Sequence, residues 1–462
     1  MRISLVFAPS ELNRNFSECK TRERHMGHVP PASLLAVAAI LERAGVEVQL
    51  IDMVAERLSF ENALARVKAF SPAMLGFTLT TYSFHSAMKW IRRFRDGTGL
   101  PILAGGAHAS IYPDETMTHP EIDYLVLGEA DRPLPEFIKR LTAGGSLEGI
   151  KSFAYRHDGR VVVDKTVEIL ENIDDAPFPA LHLVKNELYG SILSQRKNYT
   201  ALMSSRGCPY RCTFCDQKKT PYRMRSPQSL VEEIKRNYYR FGIRDFDIWD
   251  STFTANEKRV MEICERLVGE KLNISWRIRA RVDSVNEPML DALKGAKCRT
   301  VLYGIESSNR DILTRMKKDI TPERVEHIIA YTKKVGMQTL GYFMFGYPGE
   351  TRATMEATIQ FALGLPLDYV QMTVLVPFPD TAIYEYYKER GLGDYWSRFT
   401  LDLDLDQEIE LIETELTRAQ TASIVSRAYR RFFFRPGIIL NQFINVRSFA
   451  EFRRLFGGAL GL

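Results

Sequence analysis

The tightest constraint on the fold is a pattern of short apolar runs alternating with helical stretches, laid down twice along the chain. Over the first 140 residues, runs at 3–8, 46–52, 74–79, 102–104 and 124–127 alternate with helical patterns at 32–44, 60–70 and 83–94. Strands this short, separated by helices, are what a parallel, doubly wound sheet requires. Open sheets of this kind take ligands at the carboxyl ends of their strands. Gly76, Gly105, Gly106 and Gly128 fall inside or just after those runs, where a missing side chain permits close backbone approach. From 144 to 195 the pattern weakens into a hairpin at 152–163, turning at Asp158-Gly159, and an extended connector in which Pro177 and Pro179 bracket Phe178.

The second series begins near Tyr199, with strand-like runs at 200–204, 245–249, 275–279, 300–304, 339–345 and 369–376. Helical stretches at 230–239, 257–267 and 321–335 lie between them. Six βα steps are too many for another small open sheet and too few for a complete eight-stranded barrel. A partial barrel with its chemistry at the carboxyl ends of the strands is the economical reading. The fold class is therefore α/β: a Rossmann-like doubly wound sheet at 1–143, a linker at 144–195, a partial (β/α)6 barrel at 196–400, and an acidic strand with a basic helical tail at 401–462.

That last segment changes character abruptly. Residues 401–411 alternate apolar side chains with Asp402, Asp404, Asp406, Glu408 and Glu410, an edge-strand pattern. From Arg418 onward eight arginines face a single acid, Glu451, with aromatics interleaved, and Pro436-Gly437 separates a second apolar helix at 438–446. Three readings follow. The tail could bind nucleic acid, lie on an anionic membrane, or pack on the barrel with its arginines paired to the seven nearby acids.

Composition narrows the class. With 45% apolar and 26% charged residues the chain is not disordered, and six cysteines in 462 residues exclude a small disulfide scaffold. No window of 18 uninterrupted apolar residues occurs, and the N-terminus reads as a strand, not a signal peptide. The expectation is a cytoplasmic protein with reduced thiols, and peripheral contact with the inner membrane face only through the tail.

Three of the thiols form a constellation. Cys208, Cys212 and Cys215, spaced C-x3-C-x2-C, directly follow the first strand of the second series. Thiolates favour iron–sulfur clusters and zinc. A structural zinc site wants four protein ligands, and no fourth Cys or His lies nearby. Three thiolates on a four-iron cluster would leave one iron open for an outside ligand. Cys19, Cys264 and Cys298 lack this spacing and read as small buried apolar residues.

This loop resembles the signature of the radical S-adenosylmethionine (SAM) superfamily. The resemblance covers nearly the whole chain, through Arg223-Met224-Arg225-Ser226-Pro227, Asp250-Ser251-Thr252-Phe253-Thr254, Arg281-Val282-Asp283, Gly304-Ile305-Glu306-Ser307, the turn from Phe345 to Thr351, and Pro377-Phe378-Pro379-Asp380-Thr381. With the N-terminal sheet, the match is to the subgroup carrying a cobalamin-binding domain before the barrel, which includes methyltransferases, hopanoid methylases among them, and the anaerobic cyclase of bacteriochlorophyll synthesis. The resemblance implies a [4Fe–4S] cluster on Cys208, Cys212 and Cys215, with SAM on the open iron. One electron, from a donor such as flavodoxin or ferredoxin, would cleave SAM to methionine and a 5′-deoxyadenosyl radical that abstracts hydrogen from a substrate. Phe214 would stack near the adenine or pack as a core ring. Asp250 and Arg281 stand in barrel motifs as cofactor-binding candidates. Glu306 would bond the SAM ribose or amine, or pair with Arg281.

In the N-terminal domain the family patterns fall on Thr78-Leu79 after one strand, Gly105-Gly106 and His108 after the next, and Gly128-Glu129 after the fifth. They imply contacts to the nucleotide tail of cobalamin. No D-x-H-x-x-G motif follows the first strand, so no lower-ligand histidine is assigned, and some relatives keep the domain without a corrinoid. His108 is either a ligand or a polar cap beside the glycines. The resemblance and the tail together predict a cobalamin-dependent C-methyltransferase acting on a small molecule or a polycyclic lipid such as a hopanoid, with no nucleic-acid partner. The alternative is a radical cyclase, oxidase or dehydratase without methyl transfer.

Overall fold

The computed structural model describes residues 1–10 and 27–438, apart from 192, 195 and 197. Cys19 and most of the helix expected at 438–446 lie outside the described residues. The described chain separates into two compact units, one from residues 1–10, 28–189 and 390–407, the other from 190–389 and 408–438.

The first unit is built on a seven-stranded sheet. Its strands are β1 (Arg2–Phe7), β2 (Glu47–Asp52), β3 (Met74–Thr78), β4 (Ile102–Gly105), β5 (Tyr124–Val126), β6 (Phe153–His157) and β7 (Arg160–Asp164), in the order β2-β1-β3-β4-β5-β6-β7. The first five run parallel, with Ile3 opposite both Val48 and Met74. The order reverses between β1 and β3, and the crevice at such a switch point is where open α/β sheets bind ligands. The hairpin read at 152–163 forms, but it joins the sheet as antiparallel β6 and β7 instead of lying in a linker. Asp158 and Gly159 both take positive φ, 48° and 72°, as a two-residue turn matched to strand twist demands.

A segment from far along the chain completes this unit. The helix Tyr395–Leu401 buries Tyr395, Trp396, Phe399 and Thr400, and Phe399 stacks on His85 with ring centroids 3.7 Å apart. The edge strand expected at 401–411 does not form: the helix ends at Leu401 and the acidic residues follow as turn and coil. Alternating charge supplies a strand's periodicity but no partner edge to pair with.

The second unit carries β8 (Tyr199–Leu202), the two-residue strands β9 (Ser205–Arg206) and β10 (Arg223–Met224), then β11 (Asp245–Ile248), β12 (Ser275–Arg281), β13 (Cys298–Glu306), β14 (Gln338–Phe345) and β15 (Tyr369–Val374). Six of these form one parallel half-barrel in the order β15-β14-β13-β12-β11-β8, and β9 pairs with β10 as a small antiparallel ribbon. Its helices begin where the sequence supplies caps. Ser226, Asn256, Asn286, Thr321 and Thr351 each accept a first-turn amide, which satisfies a donor the helix cannot. Trp276 and Tyr303 are turned away from the concave face: Trp276 donates to Ala296 O at 2.7 Å and Tyr303 meets Thr332 at 2.8 Å.

The β15 edge of the half-barrel is closed by the helix Arg418–Phe433. Tyr429 Oη accepts from Met372 N at 2.6 Å and donates to Met372 O at 3.0 Å, replacing a strand's two bonds with one hydroxyl. Of the tail arginines, Arg418 is buried against Ile409 O and Leu375 O, while Arg431 pairs with Glu356 at 2.7 Å. Arg431 is thus bound elsewhere than on the carboxylates of 402–410, while the Arg418 backbone N–H donates to Glu410 Oε1 at 2.5 Å. Among the described residues no helix is long and apolar enough to cross a membrane.

Candidate functional site

The ribbon of β9 and β10 pinches off a loop, residues 207–222, that carries all three clustered cysteines. Gly207 opens it at φ +74°, and a Cβ there would stand 2.2 Å from Thr220 O, so only glycine lets the loop close on itself. Behind the loop lies a buried charge network. Asp250, fully buried at the end of β11, accepts from Ser204 N and Ser204 Oγ at 2.6 Å each and from Ser205 N at 2.9 Å. Arg259 answers it, donating to Ser204 Oγ at 2.8 Å, Ser204 O at 3.0 Å and Arg225 O at 2.8 Å. Burial raises the Asp250 pKa, opposed by Arg259 and the serine donors. Both carboxylate oxygens are thus spent on the chain leading into the loop. Asp250 thereby holds in place the chain that leads into the loop.

The loop itself is gripped from two helices and a turn. Thr213 N donates to Met316 O at 3.0 Å, Thr213 O accepts from Ile383 N at 2.9 Å, and Thr213 Oγ1 meets Tyr347 Oη at 2.7 Å. The turn bearing Tyr347 is fixed by Glu350, which accepts from Gly346 N at 2.5 Å and Tyr347 N at 3.2 Å. Burial pushes the Glu350 carboxyl up to about 7 despite those amides.

Cys208, Cys212 and Cys215 are half-buried free thiols. Cys208 Sγ lies 3.9 Å from Thr252 Oγ1, and Arg281 Nη1 donates to Cys212 Sγ at 3.3 Å. Arg281 is aimed by a two-pronged bond to Asp283, at 2.9 and 2.6 Å, and lies 4.0 Å over the Tyr210 ring. Burial raises the Cys212 thiol, against the pull of Lys318 and Arg281, and burial pushes Cys215 up to about 12. Two cations beside partly buried thiols are the surroundings that a negatively charged thiolate cluster needs. Among the described residues no three Cys, His, Asp or Glu side chains converge on one ion.

Glu306 stands at the end of β13 in the left-handed region, φ +66°, at an irregularity in the β13–β14 register. A non-glycine residue there is strained and is held by its surroundings. It pairs with Lys318 at 2.8 Å, both side chains almost fully buried, so the pair with Arg281 considered from sequence does not form. Lys318 had no signal of its own, since Lys317-Lys318-Asp319 reads as solvated surface. Phe214 lies half-buried within the loop. Cys264 and Cys298 are buried, Cys264 pushed up to about 12 by burial, as small core residues.

In the first unit the patterned residues do meet, though chiefly one another. Leu79 is fully buried, its N–H donates to Gly105 O at 2.7 Å, and its carbonyl accepts from His108 N. Gly106, at φ +118°, sits so close that a Cβ would stand 2.5 Å from Leu79 O and 3.1 Å from Thr78 Oγ1. Its missing side chain makes room for the protein's own backbone. His108 is fully buried, with Nδ1 on Thr81 Oγ1 at 3.1 Å and Nε2 on Thr400 Oγ1 at 2.8 Å. Burial, with His85 adding to it, depresses its pKa to about 3. Both ring nitrogens thus lie against threonine hydroxyls, the surroundings of a polar cap. Glu129 accepts from Leu170 N at 3.2 Å. What remains accessible along the carboxyl ends is a ridge of small residues, Thr78, Gly105, Gly106 and Gly128, the last exposed with open space around it. Such a ridge leaves room for a broad flat ligand to approach the backbone.

Comparison with known proteins agrees with both units. The profile of the radical SAM superfamily matches residues 202–362, and that of the B12 binding domain matches 25–138. An uncharacterized methyltransferase of Pyrococcus horikoshii is 32% identical over 99% of this chain and 98% of its own. The anaerobic magnesium-protoporphyrin IX monomethyl ester cyclase of Rubrivivax gelatinosus is 25% identical over 90% of this chain and 76% of its own. In fold, the chain is similar to the radical SAM methyltransferase TsrM from Kitasatospora setae, solved with cobalamin and a [4Fe–4S] cluster, at a TM-score of 0.69 and 20% identity over 85% of this chain and 75% of that one. The chain belongs to the radical SAM superfamily, in the group whose members carry a B12-binding domain ahead of the half-barrel. It is a radical SAM enzyme of the methyltransferase-containing branch.

Proposed function

We propose that this enzyme transfers a methyl group to an unactivated carbon of a small molecule, using a [4Fe–4S] cluster, SAM and a corrinoid. The observation that carries the reading is the cysteine loop, pinned by Asp250 and Arg259 and flanked by Arg281 and Lys318, in the same chain as a B12-type sheet. Cys208, Cys212 and Cys215 would hold the cluster, which supplies one electron for reductive cleavage of SAM, received from a donor such as flavodoxin or ferredoxin. The buried Lys318–Glu306 pair offers a cation and a carboxylate suited to the zwitterionic amino-acid end of SAM. Phe214 is suited to the adenine. The ridge Thr78, Gly105, Gly106 and Gly128 would seat the corrinoid, which supplies the methyl group. A polycyclic lipid acceptor was favoured by the basic tail, whose residues 439–462 lie outside the described residues.

The test is anaerobic reconstitution with iron, sulfide, SAM, hydroxocobalamin and a one-electron reductant. Wild-type enzyme is expected to release 5′-deoxyadenosine and to show a corrinoid absorption band. Cys212→Ala is expected to lose cluster absorbance and the release together. Full release from Cys212→Ala overturns the cluster assignment. With substrate supplied, S-adenosylhomocysteine formed alongside 5′-deoxyadenosine marks methyl transfer; its absence favours a cyclase or oxidase.

A further inference from the structure

β12 lines the concave face of the half-barrel with arginine. Because Trp276 points outward and strand side chains alternate, Arg277, Arg279 and Arg281 all face inward, one layer above another. The lowest and highest of the three are closed. Arg277 binds Asp245 at 2.7 Å and Ser194 at 2.9 Å, with both ionic side chains only 3% exposed. Arg281 is committed to Asp283 and to the cysteine loop.

The middle arginine differs. Arg279 Nη1 makes both of its strand contacts, to Asp247 Oδ1 at 2.7 Å and to Ile248 O at 3.0 Å, and 28% of the side chain remains exposed. Asp247 is divided among neighbours, with Arg277 4.0 Å from its other oxygen and Tyr199 Oη 3.2 Å away. Arg279 is therefore the most exposed cation of the ladder. Asp247 orients it as a carboxylate orients a binding arginine. It lies over Trp249, 5.5 Å from the ring centroid, and within hydrogen-bonding reach of the Tyr342 hydroxyl on β14. Trp249, directly after β11, and Met203, directly after β8, are 36% and 45% exposed, unusual for large apolar side chains at strand ends.

We infer that Arg279 and Trp249 form the acceptor subsite of this half-barrel, and that the acceptor carries an oxyanion, carboxylate or phosphoryl, on an apolar or planar body. The guanidinium edge not used by Asp247 presents parallel N–H donors that match a two-oxygen anion. Trp249 and Met203 supply the apolar wall. A neutral polycyclic hydrocarbon would instead cover the exposed part of Arg279 without offering it an acceptor. The inference rests on the radical SAM reading, because it is an acceptor for that half-barrel that is being specified.

Calorimetric titration of the reconstituted holoenzyme tests it, with benzoate, phenylphosphate and neutral benzyl alcohol as probes. Wild type is expected to bind at least one anion about tenfold more tightly than benzyl alcohol; preference for benzoate or for phenylphosphate identifies the oxyanion as carboxylate or phosphoryl. Arg279→Lys keeps a cation for Asp247 but loses the fork, and is expected to weaken anion binding about tenfold at an unchanged unfolding midpoint. Arg279→Met, if it folds, is expected to lose the anion preference altogether. Equal binding of all three probes, no binding of any probe, or wild-type anion affinity in Arg279→Lys overturns the inference. Release of 5′-deoxyadenosine by wild type is measured separately. Its absence breaks the radical SAM reading whichever way the titration falls.

Discussion

The two units bury polar groups in opposite ways. In the first, the site-bearing loops are tied by neutral groups: His108 between Thr81 and Thr400, and Leu79 against Gly105 and Gly106. In the second, they are tied by ions: Asp250 with Arg259, Arg225 with Glu233, Lys318 with Glu306, Arg277 with Asp245. The difference follows from what each must hold. A ridge that seats a flat ligand needs close backbone approach and no stray charge. A loop of thiolates gathers negative charge when it binds metal, and fixed cations around it offset that charge. Neutral networks fail gently when trimmed, whereas a buried ion left without its partner is costly.

The largest expected effect lies in the ionic unit. Asp250→Ala removes the acceptor of Ser204 and Ser205 and strands Arg259, and is expected to cost about 3–5 kcal/mol in urea unfolding. Iron incorporation on reconstitution should fall with it, while Asp250→Asn, which retains one acceptor, should recover part of both. Lys318→Met is expected to destabilise by a similar order, about 3 kcal/mol, by leaving Glu306 buried alone. Lys318→Met/Glu306→Gln should restore most of the stability but not SAM affinity, measured by equilibrium dialysis. If the double variant binds SAM as wild type does, the pair is structural only.

His108→Ala, in the neutral unit, is expected to cost less, about 2 kcal/mol, by exposing two threonine hydroxyls to an unfilled site. If it costs more than Asp250→Ala, the contrast between the units is wrong. Tyr429→Phe is smaller again, about 1–2 kcal/mol, from the unpaired amide and carbonyl of Met372.

The pH dependence separates the units by sign. His108 has its folded pKa depressed to about 3, so its contribution is complete above the unfolded value near 6.5 and is lost as pH falls toward 3. Glu350 has its carboxyl raised to about 7, so its contribution is complete below the unfolded value of 4.5 and is lost as pH rises through 7. Between pH 4.5 and 6.5 the two slopes oppose each other. Urea midpoints measured across that range should steepen downward with rising pH in His108→Gln and upward in Glu350→Gln. Parallel slopes in the two variants would remove the distinction.

Much of this architecture is legible in the chain alone. Periodicity locates the strands of both sheets to within a few residues, because strand burial needs only apolar runs of the right length. The spacing of Cys208, Cys212 and Cys215 identifies the metal loop, because local spacing fixes which thiols one loop can present together. The acidic stretch at 401–411 misleads, because alternation is a local property whereas a strand needs an edge, and Tyr429 already occupies the one on β15.

Tertiary structure alone decides the rest. It assigns residues 390–407 to the first unit, although some 200 residues separate them from it in sequence. It ties Asp250 to Ser204 and Ser205 and His108 to Thr81 and Thr400, and selects Lys318 from a charged pair that looks like surface. It leaves Arg279 partly open while closing Arg277 and Arg281, three arginines at identical spacing on one strand. The physical reason is the same in each case. Sequence fixes which groups a residue carries and which face of its own element it occupies. Whether a charge is spent or available depends on partners brought from other strands, and only folding supplies those.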